Sequence, residues 1–190
     1  MLKKVSLLAL STASVFAMHS AEVNVNNSDL EVSAKFDIGQ VNEKVEPNTV
    51  FLGAKYLKAD KRHSDISSVD DYYEANFLMM KNASKNLKFG LGVKMNHTKD
   101  FTSTPLGVEA VYRLPIESSV PFYISGSLYY APKVLSFEKA DNYLEYRAAV
   151  DVEVIKNGFV VVGYRNMNTN YESRDVEYNR SFYGGFRFLF

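Results

Sequence analysis

The chain of 190 residues has the length of one domain, and its 46% hydrophobic content supplies either a sizeable core or a lipid-facing belt. Its 22 basic residues balance 22 acidic ones, which argues against nucleic acid as a partner and against a strongly basic membrane-surface protein. The absence of cysteine excludes thiol catalysis, Cys-based metal sites and disulfides.

The first residues read MLKKVSLLALSTASVFA. Lys3 and Lys4 form a positive segment, Val5 to Leu10 an apolar one, and small residues follow, which is the order of a secretory signal peptide. The segment is too short and too rich in Ser and Thr to stay as a spanning helix. Val15 and Ala17 fit the small-residue rule for cleavage after residue 17; cleavage after Ala21 is the alternative, with His19 sitting poorly in the recognition pocket. Beyond Ala21 no run of about 18 apolar residues occurs, so a membrane location requires a closed barrel. Residues 22–190 are expected to form that single barrel domain.

Val23 and Val25 alternate with Asn24 and Asn26 in a short first strand, and Asn27-Ser28 gives a tight turn. Leu30, Val32, Ala34, Phe36 and Ile38 then alternate with Glu31, Ser33, Lys35 and Asp37. A connection from Gly39 to Asn48 leads to a strand from Val50 to Leu57, and the polar stretch Lys58 to Asp71 reads as a long loop. Tyr73, Ala75, Phe77 and Met79 oppose Glu74 and Asn76; after NASKN, Leu87, Phe89, Leu91, Val93 and Met95 oppose Lys88, Gly90, Gly92, Lys94 and Asn96. Thr98 to Thr104 reads as a loop before Leu106, Val108, Ala110 and Tyr112, which alternate with Gly107, Glu109, Val111 and Arg113. Pro115 to Val120 turns the chain into Phe122, Ile124, Gly126, Leu128 and Tyr130.

After a loop over Ala131 to Asp141, the strand Tyr143 to Ile155 sets Leu144, Tyr146, Ala148, Val150, Val152 and Val154 against Glu145, Arg147, Ala149, Asp151 and Glu153. An amphipathic helix is the competing reading, but charges at i, i+2, i+6 and i+8 would encircle a helix instead of marking one side. Lys156-Asn157-Gly158 turns into Val160, Val162 and Tyr164, opposed by Val161, Gly163 and Arg165. A polar loop over Asn168 to Glu177 precedes the closing strand, where Phe182, Phe186, Phe188 and Phe190 share a face and Arg187 lies on the other.

Short connections alternate with long polar ones, as in outer-membrane barrels with brief periplasmic turns and longer external loops; Gly39 to Asn48 is long where a short turn is expected. The pattern predicts an all-β, antiparallel up-and-down transmembrane barrel of ten strands, with eight strands plus an N-terminal hairpin as the alternative. Tyr56, Tyr73, Tyr130 and Tyr143 are placed in an external aromatic girdle, and Tyr112, Phe122, Phe188 and Phe190 in a periplasmic one. A one-residue slip of Tyr143 to Ile155 would put four charges in hydrocarbon at roughly 2–4 kcal/mol per basic residue at midplane, less for acids.

The inward set comprises Glu31, Lys35, Asp37, Lys55, Glu74, Lys88, Lys94, Glu109, Arg113, Glu145, Arg147, Asp151, Glu153, Arg165 and Arg187. A barrel of eight to ten strands holds little beyond its own side chains. These residues are therefore expected to pair into a plug, because an unpaired charge in a narrow lumen carries a large desolvation cost.

Residues Tyr129 to Thr169, with the APKVLSF loop, the LEYR strand and a turn before VGYRN, resemble the YfaZ family of predicted outer-membrane proteins; VNVNN and TPLGVEAVYRLP carry the likeness in the first half. The resemblance implies a secreted, barrel-forming, porin-like protein and supplies no catalytic residues. The alternating aromatics Phe186, Phe188 and terminal Phe190 look like the signal read by the barrel-assembly machinery.

The function expected is thus a small barrel in the outer membrane of a Gram-negative bacterium, structural or porin-like, without catalysis, cofactor or metal. Its expected partners are outer-membrane lipids and, during biogenesis, the assembly machinery. Two other readings compete. One is an acyl-lipid-modifying enzyme using His97 or His63 with a nearby Ser and a carboxylate. The other is a soluble periplasmic barrel with an apolar ligand inside. Tyr129, Tyr130, Pro132 and Phe137 form a candidate external recognition patch, whose plainer role is to fold the loop over the barrel mouth.

Overall fold

The computed structural model describes residues 19–58, 71–171 and 174–190, apart from the side chains of residues 174–176. His63 and the expected signal segment through Ala17 lie outside the described residues. Strands follow the alternation read from the sequence: β1 (Ser20–Val25), β2 (Leu30–Asp37), β3 (Val50–Lys58), β4 (Tyr72–Asn82), β5 (Leu87–His97), β6 (Phe101–Ser103), β7 (Leu106–Arg113), β8 (Phe122–Ala131), β9 (Ser136–Glu138), β10 (Ala140–Ile155), β11 (Gly158–Tyr171) and β12 (Arg174–Leu189).

All neighbouring strands pair antiparallel in the order β1-β2-β3-β4-β5-β7-β8-β10-β11-β12, and β12 returns to β1, closing a ten-stranded up-and-down barrel. The short β6 and β9 are extra, pairing with each other above the barrel rim. The connections after β2, β4, β7 and β10 and both described termini lie at one end, here the turn end, and the remaining connections lie at the other, the loop end. His19 N and O pair with Phe190 O and N, so the seam begins four residues before Val23, where the first strand was expected to open.

Three segments expected as loops contribute to the sheet. Residues 98–104 include β6, residues 131–141 include β9 and the start of β10, and residues 168–177 belong largely to the ends of β11 and β12. Polar residues here extend the ladder: Asn168 faces Leu144 and Asn170 faces Asn142, so backbone pairing continues where hydrophobic alternation has stopped. The long connection after β2 is compact, with Asp37 accepting from Gly39 N at 3.0 Å and from Asn48 N at 2.7 Å around a 3-10 turn over Ile38–Gln40. At the β10–β11 hairpin Asn157 takes the left-handed conformation (φ 63°), which favours Asn-Gly in tight hairpins.

The faces divide as a membrane barrel requires. Val32, Phe77, Leu91, Leu128, Val150, Phe182 and Phe186 point outward and are exposed, whereas Glu31, Glu74, Glu145, Asp151 and Arg165 point inward and are buried. Inward glycines make room for inward tyrosines. The Tyr129 ring lies over Gly92 and Gly107, and Tyr183 lies over Gly163, so a Cβ at Gly107 would sit 2.5 Å from the Tyr129 ring and collide with Leu128 O. Gly107→Ala is expected to lower folding stability by about 1–3 kcal/mol through overpacking. Gly126→Ala, whose added Cβ would have its nearest neighbour at 3.6 Å, should leave it nearly unchanged; urea midpoints in detergent micelles compare the two.

Candidate functional site: the filled lumen

Two inward carboxylates organise the middle of the lumen. Glu145, on the central part of β10, meets Lys55 Nζ at 3.4 Å, Lys94 Nζ at 3.0 Å and Arg147 Nε at 3.0 Å. Glu74, on β4, meets the same two lysines at 2.6 and 3.4 Å. Each lysine thus bridges both acids, and strands β3 and β10, diametrically opposite in the ring, are tied together through Lys55 and Glu145. The Glu145 side chain is fully buried and that of Glu74 is 1% exposed, so the lysines stand in place of solvent.

A second group forms around Glu31. Arg147 grips it with both terminal nitrogens, and Arg165 Nη1 adds a bond of 2.9 Å while its Nη2 reaches Asp29 at 3.0 Å. Asn179 Oδ1 accepts from Arg165 Nε at 2.8 Å, fixing the plane of the guanidinium. Because Arg147 also donates to Glu145, the two groups are one lattice spanning β2, β3, β4, β5, β10 and β11. Fork-shaped guanidiniums suit this role since each can serve two carboxylates at once.

Toward the turn end the lumen loosens. Lys35 pairs with Glu109 at 3.2 Å, and Arg187 pairs with Asp151 at 2.8 Å and Glu22 at 3.6 Å. Between these pairs lies a cavity of about 180 Å³. A second, of about 170 Å³, adjoins it through the shared walls Glu22, Lys35, Met80 and Arg187 and reaches Lys88 and Leu189 at the turn end. Lys88 lines this lower space, Glu153 accepts from Asn157 N, and Arg113 is exposed; these three stand apart from the central lattice.

Toward the loop end the lumen is stoppered by apolar and aromatic side chains. Leu57, Tyr72, Phe101, Ala131, Ala140, Tyr143, Met167 and Tyr178 pack into one buried cluster. The Tyr72 and Tyr143 hydroxyls lie 3.1 Å apart and each donates downward, to Glu74 and Glu145 respectively, so the stopper is hydrogen-bonded to the lattice.

Two expectations are corrected here. Tyr143, placed in the external girdle, is fully buried inside the barrel, as its shared parity with Glu145 requires. Tyr129, placed in an external patch, is also inside, its hydroxyl donating to Glu109 at 2.8 Å and its ring lying 4.0 Å from Lys94 Nζ. The rest of the patch divides: Tyr130 and Phe137 are exposed and Pro132 is half-buried. Phe186 and Phe188 face outward, and Phe190 pairs with His19. Phe101 and Tyr72 were missed as lumen residues because each lies at a strand end or in a loop, where alternation is too short to assign a face.

His97 faces outward at the loop end. Its Nδ1 lies 2.9 Å from Thr102 Oγ1, which in turn donates to Glu138 at 3.2 Å. Among the described residues no group of three or more His, Asp or Glu side chains is placed to hold a metal ion. No helix among them is long and apolar enough to cross a membrane, a statement that leaves spanning strands untouched.

The fold and lumen together define a small closed β-barrel, apolar outside and filled with paired charges. Residues 3–190 match the family described as YfaZ precursor, and the chain belongs to that family, as the Tyr129–Thr169 segment suggested. Among solved structures it is similar to the NanC porin in rhombohedral crystal form, with 13% identity, a TM-score of 0.46, and coverage of 90% of this chain and 99% of that one. No curated protein matches the sequence.

Replacing Glu145 by Gln would leave Lys55, Lys94 and Arg147 facing a neutral amide in a buried site. The expected cost is about 3–5 kcal/mol, read as a lowered urea midpoint in micelles.

Proposed function

We propose that the protein is exported to the outer membrane of a Gram-negative cell and works there as a structural or porin-like barrel whose resting lumen is closed. The observation that carries this reading is the division of faces: exposed Val, Leu, Met and Phe cover the outside while the inward charges satisfy one another. In water that arrangement would expose a broad apolar belt, whereas in a bilayer it meets hydrocarbon. The same division opposes a soluble barrel carrying an apolar ligand, since the lumen is polar. Tyr73 and Tyr130 near the loop end, with Tyr112 and Phe188 near the turn end, suit the two interfaces.

We take the protein to be non-enzymatic. The chain of contacts at His97 sets a threonine hydroxyl between the imidazole and the carboxylate, whereas an acyl-transfer base needs the imidazole in the middle, oriented by the acid. Outer-membrane lipids are the proposed surroundings, and Phe186, Phe188 and Phe190 the proposed assembly signal. Fractionation with outer membranes, heat-modifiable migration on gels and small or absent conductance steps in planar bilayers are the expected results. Recovery of folded protein from the soluble periplasm, or large stable open-channel steps at rest, would contradict the proposal; changed lipid A mass spectra on overexpression would contradict the absence of catalysis.

A further inference from the structure

The lumen is not sealed alike around its circumference. Aromatic rings fill much of the loop-end mouth, and buried neutral polar atoms with no protein partner among the described residues lie on two stretches of wall: Asn76 Oδ1, both amide atoms of Asn96 and Ser103 Oγ on β4, β5 and β6, and Asn166 Oδ1, Asn168 Oδ1 and Thr169 Oγ1 on β11. The first set includes Asn76, which lines the cavity, and its register places its members in sequence along the barrel. Asn76 lines the upper cavity opposite Lys94; Asn96, opposite Glu74, lies one inward step toward the loop end; Ser103 stands opposite Asn96 on β6. Buried polar atoms of this kind are met by ordered water, which needs two to four polar neighbours. A file of water-binding groups therefore leads from the cavity to the underside of β6.

What lies above the file is a short ribbon outside the ten-stranded ring, held also by Thr98 N to Phe101 O, Thr104 N to Leu135 O and the Lys139–Asp100 pair. The β6 strand joins β5 through Asn96↔Ser103 and His97↔Thr102, and joins β9 through its own three residues. This ribbon carries Phe101, whose ring packs 5.8 Å from Tyr143 and 6.0 Å from Tyr178, measured between centroids. Moving the ribbon withdraws Phe101 from the stopper without breaking any pairing that closes the barrel.

We propose that the protein is a gated path for water and small neutral polar solutes along the β4–β5 wall, with the β6–β9 ribbon as the gate and Phe101 as its stopper. The inference rests on the membrane reading above and gives it a solute class. The free groups on the wall are amides and a hydroxyl, which serve donors and acceptors alike. The charges beside them, Lys55, Lys94, Glu74 and Glu145, already neutralise one another, so a dehydrated ion would find no net counter-charge. The cavity of about 180 Å³ suits molecules the size of glycerol or urea.

Osmotic swelling of liposomes in glycerol, followed by light scattering, tests this with the full processed chain. Phe101→Ala should raise glycerol entry several-fold over wild type with no rise in ion conductance, and adding Asn96→Leu should bring entry back down. Because the chain has no cysteine, the double variant His97→Cys, Thr102→Cys forms one disulfide across a directly opposed pair with Phe101 intact. Its glycerol entry should be higher after reduction than when oxidised. Equal entry for wild type and Phe101→Ala, a parallel rise in ion conductance, indifference to Asn96→Leu, or equal entry in the oxidised and reduced pair would each overturn the proposal. Heat-modifiable migration of every variant separates these results from failure of the membrane reading, which would show as wild-type protein that does not insert.

Discussion

Ionisable side chains turned toward the axis of a narrow barrel cannot each be left to find water, and the structure depends on how they find one another instead. Glu145 and Glu74 share Lys55 and Lys94, Glu31 takes two guanidiniums, and Arg147 joins the two groups. Lys55–Glu74 and Lys94–Glu74 join neighbouring strands, but Lys55–Glu145, Lys94–Glu145, Arg147–Glu31 and Arg165–Glu31 join strands that do not pair, so the whole lattice is formed only when the barrel has closed. The alternation of strands fixes which side chains enter the lumen; the lattice fixes how far each strand has slid along its neighbours. A slip of one residue on β10 would both expose Glu145, Arg147 and Asp151 to the outer face and leave Lys55, Lys94 and Glu31 without their partners.

That lattice also explains the asymmetry of the two ends. Its loop-end face is covered by Tyr72 and Tyr143, whose hydroxyls cap the two carboxylates and whose rings begin the apolar stopper. Its turn-end face opens onto cavities walled by looser, partly exposed pairs such as Lys35–Glu109 and Arg187–Glu22. Tyr129 and Tyr183 fit into this section only because glycines face them, so the inward glycines are part of how a ten-stranded barrel holds large side chains. A lumen closed tightly at one end and loosely at the other is the form expected of a gate or a scaffold, and the unpartnered amide of Asn96 favours the gate.

The barrel was legible because a period of two is unambiguous over long strands. Leu144 to Val154 against Glu145 to Glu153 gives the face of β10, and β11 and β12 follow by the tight turn at Asn157 and the phenylalanine series. Legibility failed at strand ends. Tyr143 shares the parity of Glu145, yet its aromatic character suggested an interface; parity was the better guide, since a hydroxyl can be buried once it has Glu145 as acceptor. Tyr129 misled in the same way. The ladder through Asn168 and Asn170 carries no hydrophobic signal and read as loop, and three-residue strands such as β6 are too short to show any period. Which acid meets which base across the lumen was not legible, because the distances from Glu145 to Lys55 and from Glu31 to Arg147 and Arg165 are set by closure between strands distant in sequence.

The central claim is that the apolar parity of the strands meets lipid and the charged parity meets the lumen. Single cysteines placed in turn at residues 144 to 154 of β10, labelled with a fluorophore and reconstituted with brominated lipids, test it most directly. The account predicts strong quenching at 146, 148, 150 and 152 and weak quenching at 145, 147, 149 and 151. Quenching with the opposite parity, or none along the whole strand, would contradict it.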